Sequence, residues 1–246
     1  PTCGTYHEAR LALAGAVPNR VDMSKSFKVL VFSPTETDGT ISDNNGVSFT
    51  LNNKDSEIVS WLISTEDGMI IGTLAGEWVF RASALDDPVS PTSAQARNPT
   101  TSGSANIEPV SVYGSPLHVQ ARGRKAMTHR RINGKYENIN HSANAEGLGT
   151  PEFKELAWVQ EPLLSFFCRR SDGKIVGAVH KVSQESESFT GWHEHEHGGL
   201  RKFEAMSFGP NFSGTSDSLF TISAAGTAPN SSPRLIETMM PHASSG

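Results

Sequence analysis

A chain of 246 residues with 36% apolar side chains can bury one large or two small cores, which excludes a disordered chain. The formal net charge of -5 and an isoelectric point near 6.0 argue against a dedicated nucleic-acid binder, whose domains carry a basic excess. No apolar run approaches the roughly 18 residues of a membrane span, no leader pattern opens the sequence, and Cys3 and Cys168 fit no CxxC spacing; membrane-anchored, exported, zinc-finger and thioredoxin-like classes are therefore not expected.

In chain order, "YHEARLALAG" (residues 6 to 15) suits a helix by composition and a strand by alternation, and "SPTETDGTISDNNG" (33 to 46) has the make-up of an inserted loop. The stretch "WLISTEDGMIIGTLAGEWVF" (61 to 80) predicts a strand meander, with turn chemistry at Asp67-Gly68 and Ala75-Gly76. Residues 83 to 106, rich in Ser, Thr, Pro and Ala, predict a long connection with one short helical turn at "TSAQA". Further hairpins are expected at Asn133-Gly134 and Asp172-Gly173, the latter flanked by an apolar strand that buries Cys168. From Ala224 onward no strand pattern is visible; residues 224 to 246 form an extended tail that suits contact with a neighbour, with "RLIETMM" as one apolar helical turn.

Four strand openings repeat: "EIVSWLIS", "NIEPVSVYG", "ELAWVQEP" and "KFEAMSFGP". Anchored on Trp61, Val110, Trp158 and Met206, they lie 49, 48 and 48 residues apart, and "GTYHEARLALAG" supplies an earlier copy around Tyr6. Short strands at such a period predict an all-β, β-propeller-like domain over residues 1 to 223, with about five blade-like repeats of roughly 48 residues and few short helical turns. An irregular β-sandwich is the competing architecture.

The phrases "ARLALAG", "PNRVDMSKSF", "SDNNGVSFTL", "SEIVSWLISTEDGMIIGTLAGEWVF", "SPTSAQARNPTTSGSANIEPVSVYGSPLHVQARGRKA", "ELAWVQEPLLSFFCRRSDGKIVGAVHKVSQES" and "GWHEHEHGG", in that order, resemble the layout of the tail nozzle (tail tubular protein B) family of short-tailed bacteriophages. The resemblance runs from Tyr6 to about Ile222, and departs from the family at Ala75, where a Gly-Gly usually precedes Glu-Trp. It implies a virion structural protein of the tail. Its partners would be copies of itself in a homo-hexameric ring, the portal and adaptor proteins, tail fibres, and genomic DNA passing without sequence-specific binding. Because no catalytic constellation stands out among the residues, no cofactor and no catalytic residues are expected.

Two constellations offer chemistry. In "GWHEHEHGG", a strand would project His193, His195 and His197 from one face and Trp192, Glu194 and Glu196 from the other, the start of a metal shell. A cupin-like site needs a carboxylate four or five residues on, where Gly199, Leu200, Arg201 and Lys202 stand instead. The basic group Arg122, Arg124, Lys125, Arg130, Arg131 and Lys135 would face phosphates or an acidic neighbouring subunit, or simply keep a solvated hairpin edge from pairing. Trp61, Trp78, Trp158 and Trp192 recur at blade-like positions and are expected in the core. The sequence lacks GxSxG, Walker A, strand-linked GxGxxG and HExxH patterns. A metal-dependent β-fold enzyme using the three histidines, and a monomeric ligand-binding propeller, are the alternative functions.

Overall fold

The computed structural model describes residues 1–84, 87–161, 163–182, 187–198, 201–225 and 233–239. It is all-β, and its described helical content is one short 3-10 segment, Ala143–Gly149. The strands form five antiparallel sheets, each a meander of chain neighbours. Sheet one holds β1 (Cys3–His7), β2 (Arg10–Ala14), β3 (Arg20–Met23) and β4 (Val47–Thr50); sheet two holds β5 (Val59–Thr65), β6 (Gly68–Thr73), β7 (Glu77–Ala82) and β8 (Ala94–Thr100). Sheet three holds β9 (Val110–Val112), β10 (Ser115–Val119), β11 (Ala126–Ile132) and β12 (Lys135–Asn140), and sheet four β13 (Phe153–Val159), β14 (Ser165–Arg170), β15 (Ile175–Val182) and β16 (Glu187–His195). Sheet five has three described strands, β17 (Arg201–Pro210), β18 (Asp217–Ala225) and β19 (Leu235–Met239). Tyr6, Trp61, Val110, Trp158 and Met206 all fall on the first strand of successive sheets, so the sequence repeat marks the sheet repeat.

Turn chemistry explains which connections are visible in the sequence. Asn133 and Gly134 both take positive φ (50° and 82°), as a two-residue hairpin turn requires. The ambiguous "YHEARLALAG" is a hairpin of the same kind, but its left-handed turn residues are Glu8 and Ala9 (φ 47° and 60°), neither a usual turn former. Two expectations need correction. The helical turn at "TSAQA" is instead a turn at residues 91 to 93 leading into β8, whose Pro99 is tolerated because β8 is the outer strand of its sheet. "RLIETMM" is not helical: Leu235–Met239 pairs with β18 from Ser223 to Leu219, so part of the expected tail belongs to sheet five. Residues 226 to 232 and 240 to 246 of that tail lie outside the described residues.

The chain divides into two compact units, Pro1–Arg122 with Met127–Ile139, and Gly123–Ala126 with Asn140–Gly246. In the first, Ala12, Val21, Met23 and Val47 of sheet one pack on Leu62, Ile71, Trp78 and Phe80 of sheet two. The opposite face of sheet two buries Trp61, Ile70 and Val79, with Tyr136 of sheet three against them. With both faces covered, β6 is buried at every residue, which accounts for its unbroken Met69-Ile70-Ile71. Trp61 lies across Gly72, its cross-strand partner, where a Cβ would come within 2.1 Å of Cε2.

In the second unit, Ala157 and Ile175 of sheet four pack on Phe203 and Leu219 of sheet five. The other face of sheet four carries an edge-to-face aromatic cluster in which Phe166 meets Phe189 at 4.6 Å and Trp192 at 5.2 Å, and Trp158 meets His180 at 5.8 Å. Cys168 is fully buried and both cysteines are free, with burial pushing the Cys168 thiol well up. Trp61, Trp78 and Trp158 are buried as expected, and Trp192 is half-buried. Among the described residues no helix is long and apolar enough to cross a membrane.

Candidate functional site

The histidine-rich strand alternates as its spacing predicts only as far as His195. His193 and His195 share a face of β16 with ring centres 4.7 Å apart, both against Phe167, while Trp192 packs on Phe166 across the sheet. Glu194 accepts ion pairs from Arg170 at 2.7 Å and Lys174 at 2.8 Å, and Glu196 lies 3.2 Å from Lys174. His197 follows the end of the strand and turns to sheet five, its Nε2 3.0 Å from both carboxylate oxygens of Glu237. Its Nδ1 donates to the Gly198 carbonyl at 2.7 Å. With an acceptor at each nitrogen, Glu237 foremost, the His197 pKa is raised. The three imidazoles therefore do not converge, and among the described residues no group of three or more His, Cys, Asp or Glu side chains is arranged to hold a metal.

The basic residues also separate. Arg122, Arg124 and Lys125 precede β11, where Arg124 donates to Thr150 Oγ1 and Lys125 lies 4.0 Å from Glu146. Arg130 and Arg131 come near the end of β11 and Lys135 opens β12, so only these three belong to the hairpin. Arg131 sits 3.4 Å from Asp67 in the β5–β6 turn.

A buried polar network in the first unit was hidden in the sequence. Glu77, fully buried, accepts hydrogen bonds from Thr100 Oγ1 (2.7 Å), Asn138 Nδ2 (2.7 Å) and Ser104 Oγ (2.9 Å). His118 Nε2, also fully buried, lies 3.3 Å from Glu77 Oε1, outside hydrogen-bond geometry. Asn138 Oδ1 in turn meets His129 Nδ1 at 2.8 Å. Burial pushes the Glu77 carboxyl up, and His118, Thr100 and Asn138 more than offset it, holding the pKa at about 2. The only sequence signal was a glutamate beside the apolar run "WVF". The network ties β7, β8 and the Ser104 segment to β12 and places a charge where an apolar pair would pack without one.

The segment between β3 and β4 gathers several exposed apolar side chains. Phe27 is 87% exposed and Leu30 86%, with Val31 and Ile41 on the same excursion. Arg10 holds that excursion in place: its buried guanidinium donates to the carbonyls of Ser24 (2.8 Å), Asn45 (2.6 Å) and Asp43 (2.6 Å). Asn45, itself buried, donates to the carbonyls of Pro34 and Thr40. A loop pinned by a buried cation while presenting large apolar side chains to water has the character of an interaction surface. The sequence marked residues 33 to 46 as an inserted loop but gave no sign that Phe27 and Leu30 stand exposed, because the apolar positions follow neither strand nor helix period.

Comparison with protein-family models and with curated proteins finds no match for this chain.

Proposed function

We propose that the protein acts by assembling, as a nozzle or tail-tube subunit of a short-tailed phage. In this reading the sheets are blades of a propeller-like body, identical heterologous contacts close subunits into a ring, and the ring conducts DNA below the portal and adaptor. The order of family-like phrases supports the nozzle identity, and the sheet repeat that those phrases occupy supports the propeller-like body. The observation that carries assembly is the 24–46 segment, fixed by Arg10 while exposing Phe27 and Leu30. Two such side chains held out of a core in a pinned loop gain by burial in a partner, roughly 1.5–3 kcal/mol each when fully covered.

Mass photometry of the purified chain is expected to show a closed oligomer of defined copy number. The double substitution Phe27→Ser with Leu30→Ser is expected to leave the melting temperature within a few degrees and shift the population to monomer. A wild-type chain that stays monomeric at high concentration, alone and with portal and adaptor present, would overturn the reading. For the basic residues, the same reading places Arg122, Arg124, Lys125, Arg130 and Arg131 outside the DNA-lining surface, because multiple phosphate contacts would slow passage and make it salt-dependent.

A further inference from the structure

A cleft of about 340 Å³ in the first unit gathers positive charge with little to balance it. Val79 and Arg81 of β7 share one face by strand alternation, and Arg97 of β8 pairs directly with Val79 in the ladder. Arg131 of β11 and Lys135 and Tyr136 of β12 close the other side. Four cationic side chains thus line a space of the size that small ligands occupy, over a floor of Val79 and the Tyr136 ring. Asp67, 3.4 Å from Arg131, is the one carboxylate in ion-pair reach of these cations among the described residues; Arg81, Arg97 and Lys135 form no ion pair there.

Tyr136 adds a second, independent mark. Its hydroxyl is shielded from solvent and has no hydrogen-bond partner among the described residues, a costly arrangement unless something else accepts its hydrogen bond. The ring is held rigid by stacking on His129 at 5.3 Å with planes 7° apart. Burial, then Asp67, pushes the phenol pKa up while Arg81 and Arg131 pull it down, so at neutral pH it is a donor. Guanidinium forks match tetrahedral oxyanions two hydrogen bonds at a time, and three of them with an ammonium and one opposing carboxylate call for a ligand of more than one negative charge.

We propose that this cleft binds a phosphate or sulfate oxyanion, free or as a monoester, with Arg81 and Arg97 gripping the oxygens, Arg131 and Lys135 screening the charge, and Tyr136 donating its hydroxyl. The site does not rest on the assembly reading. Its carriers are small: the limited size of the cleft and the net acidity of the chain disfavour a polyanion tracking across the surface.

The test is calorimetric titration of the full chain with sodium phosphate, sodium sulfate and glucose 6-phosphate, with sodium chloride at matched ionic strength as reference. Saturable binding is expected for all three oxyanions, weakened at least tenfold in Arg81→Gln with Arg97→Gln, severalfold in Tyr136→Phe, and unchanged in Lys54→Gln, a charge removed elsewhere. Removing an orphaned hydroxyl leaves folding intact, so Tyr136→Phe remains informative if the double variant fails to fold. A glucose 6-phosphate affinity well above that of phosphate identifies an ester whose body rests on Val79 and Tyr136; equal affinities identify the free oxyanion. Binding that chloride reproduces, that survives in Tyr136→Phe and the folded double variant alike, or that appears only with duplex DNA overturns the proposal.

Discussion

Glu77 joins Thr100, Ser104 and Asn138 in the buried polar network of the first unit. Its folded pKa of about 2 lies below the ordinary carboxylate value of 4.5, so its stabilisation is complete above pH 4.5 and is lost as pH falls from there towards 2. The shift corresponds to about 3 kcal/mol. Glu77→Gln keeps one accepting oxygen but puts an NH2 donor where the other stood, so it cannot satisfy Thr100, Asn138 and Ser104 together; it is expected to lower stability by about that amount at pH 7 and to flatten the dependence between pH 4.5 and 2, as read from urea melts. An unchanged slope in the variant would show that other carboxylates carry the acid response. His197 has the opposite sign: its raised pKa gives stability that is full below 6.5 and fades as pH rises through the folded value. Half in solvent, the pair is worth under about 1 kcal/mol. An imidazole titration by NMR is expected to place His197 above 6.5, and Glu237→Gln to return it towards that value. Neither role was legible in sequence, since Glu77 reads as a polar interruption of an apolar strand and His197 as a third member of a metal trio. The period-two rule placed His193 and His195 together and failed at His197, where the chain leaves the strand.

At the scale of elements, hairpins with Asn-Gly or Asp-Gly turns were legible because only those residues adopt left-handed turns at low cost. The Glu8-Ala9 turn lacked that chemistry, β8 was masked by Pro99 and its polar run, and β19 by the mixed character of "LIETM". Each of those segments has edge or tail character, where alternation is weak because one side of the strand has no neighbour to satisfy. Packing between strands could not be foreseen at all: Trp61 over Gly72 and His193 over Gly177 are cross-strand arrangements in which the glycine makes room for the ring. A Cβ on Gly177 would come within 2.5 Å of His193 Nε2 and 2.7 Å of Phe167 Cε1. Gly72→Ala and Gly177→Ala are each expected to lower stability by about 1–3 kcal/mol in thermal or urea melts. Arg10→Met removes three charged donors from buried carbonyls. It is expected to make residues 24 to 46 the first site of limited proteolysis while the sheets keep their circular-dichroism spectrum.

For the whole molecule, four first strands recur in the sequence at intervals of 49, 48 and 48 residues, with Tyr6 a further 55 residues before Trp61, and five successive sheets match them. The division into two compact units had no signal in the sequence, because the second unit takes Gly123–Ala126, up to the first residue of β11, and resumes at Asn140, the last of β12, with no linker between the units. The proposed ring makes its own demand on this architecture: pinned apolar loops must be buried and the acidic surface must be left to the conduit. An electron cryo-microscopy reconstruction of phage tails carrying this chain tests that most directly. Six copies in a closed ring below the adaptor are expected, with Phe27 and Leu30 covered at a protein contact and Arg122, Arg124, Lys125, Arg130 and Arg131 away from the DNA-lining wall. Tails that lack the chain, or a ring in which those five basic residues line the pore, would contradict it.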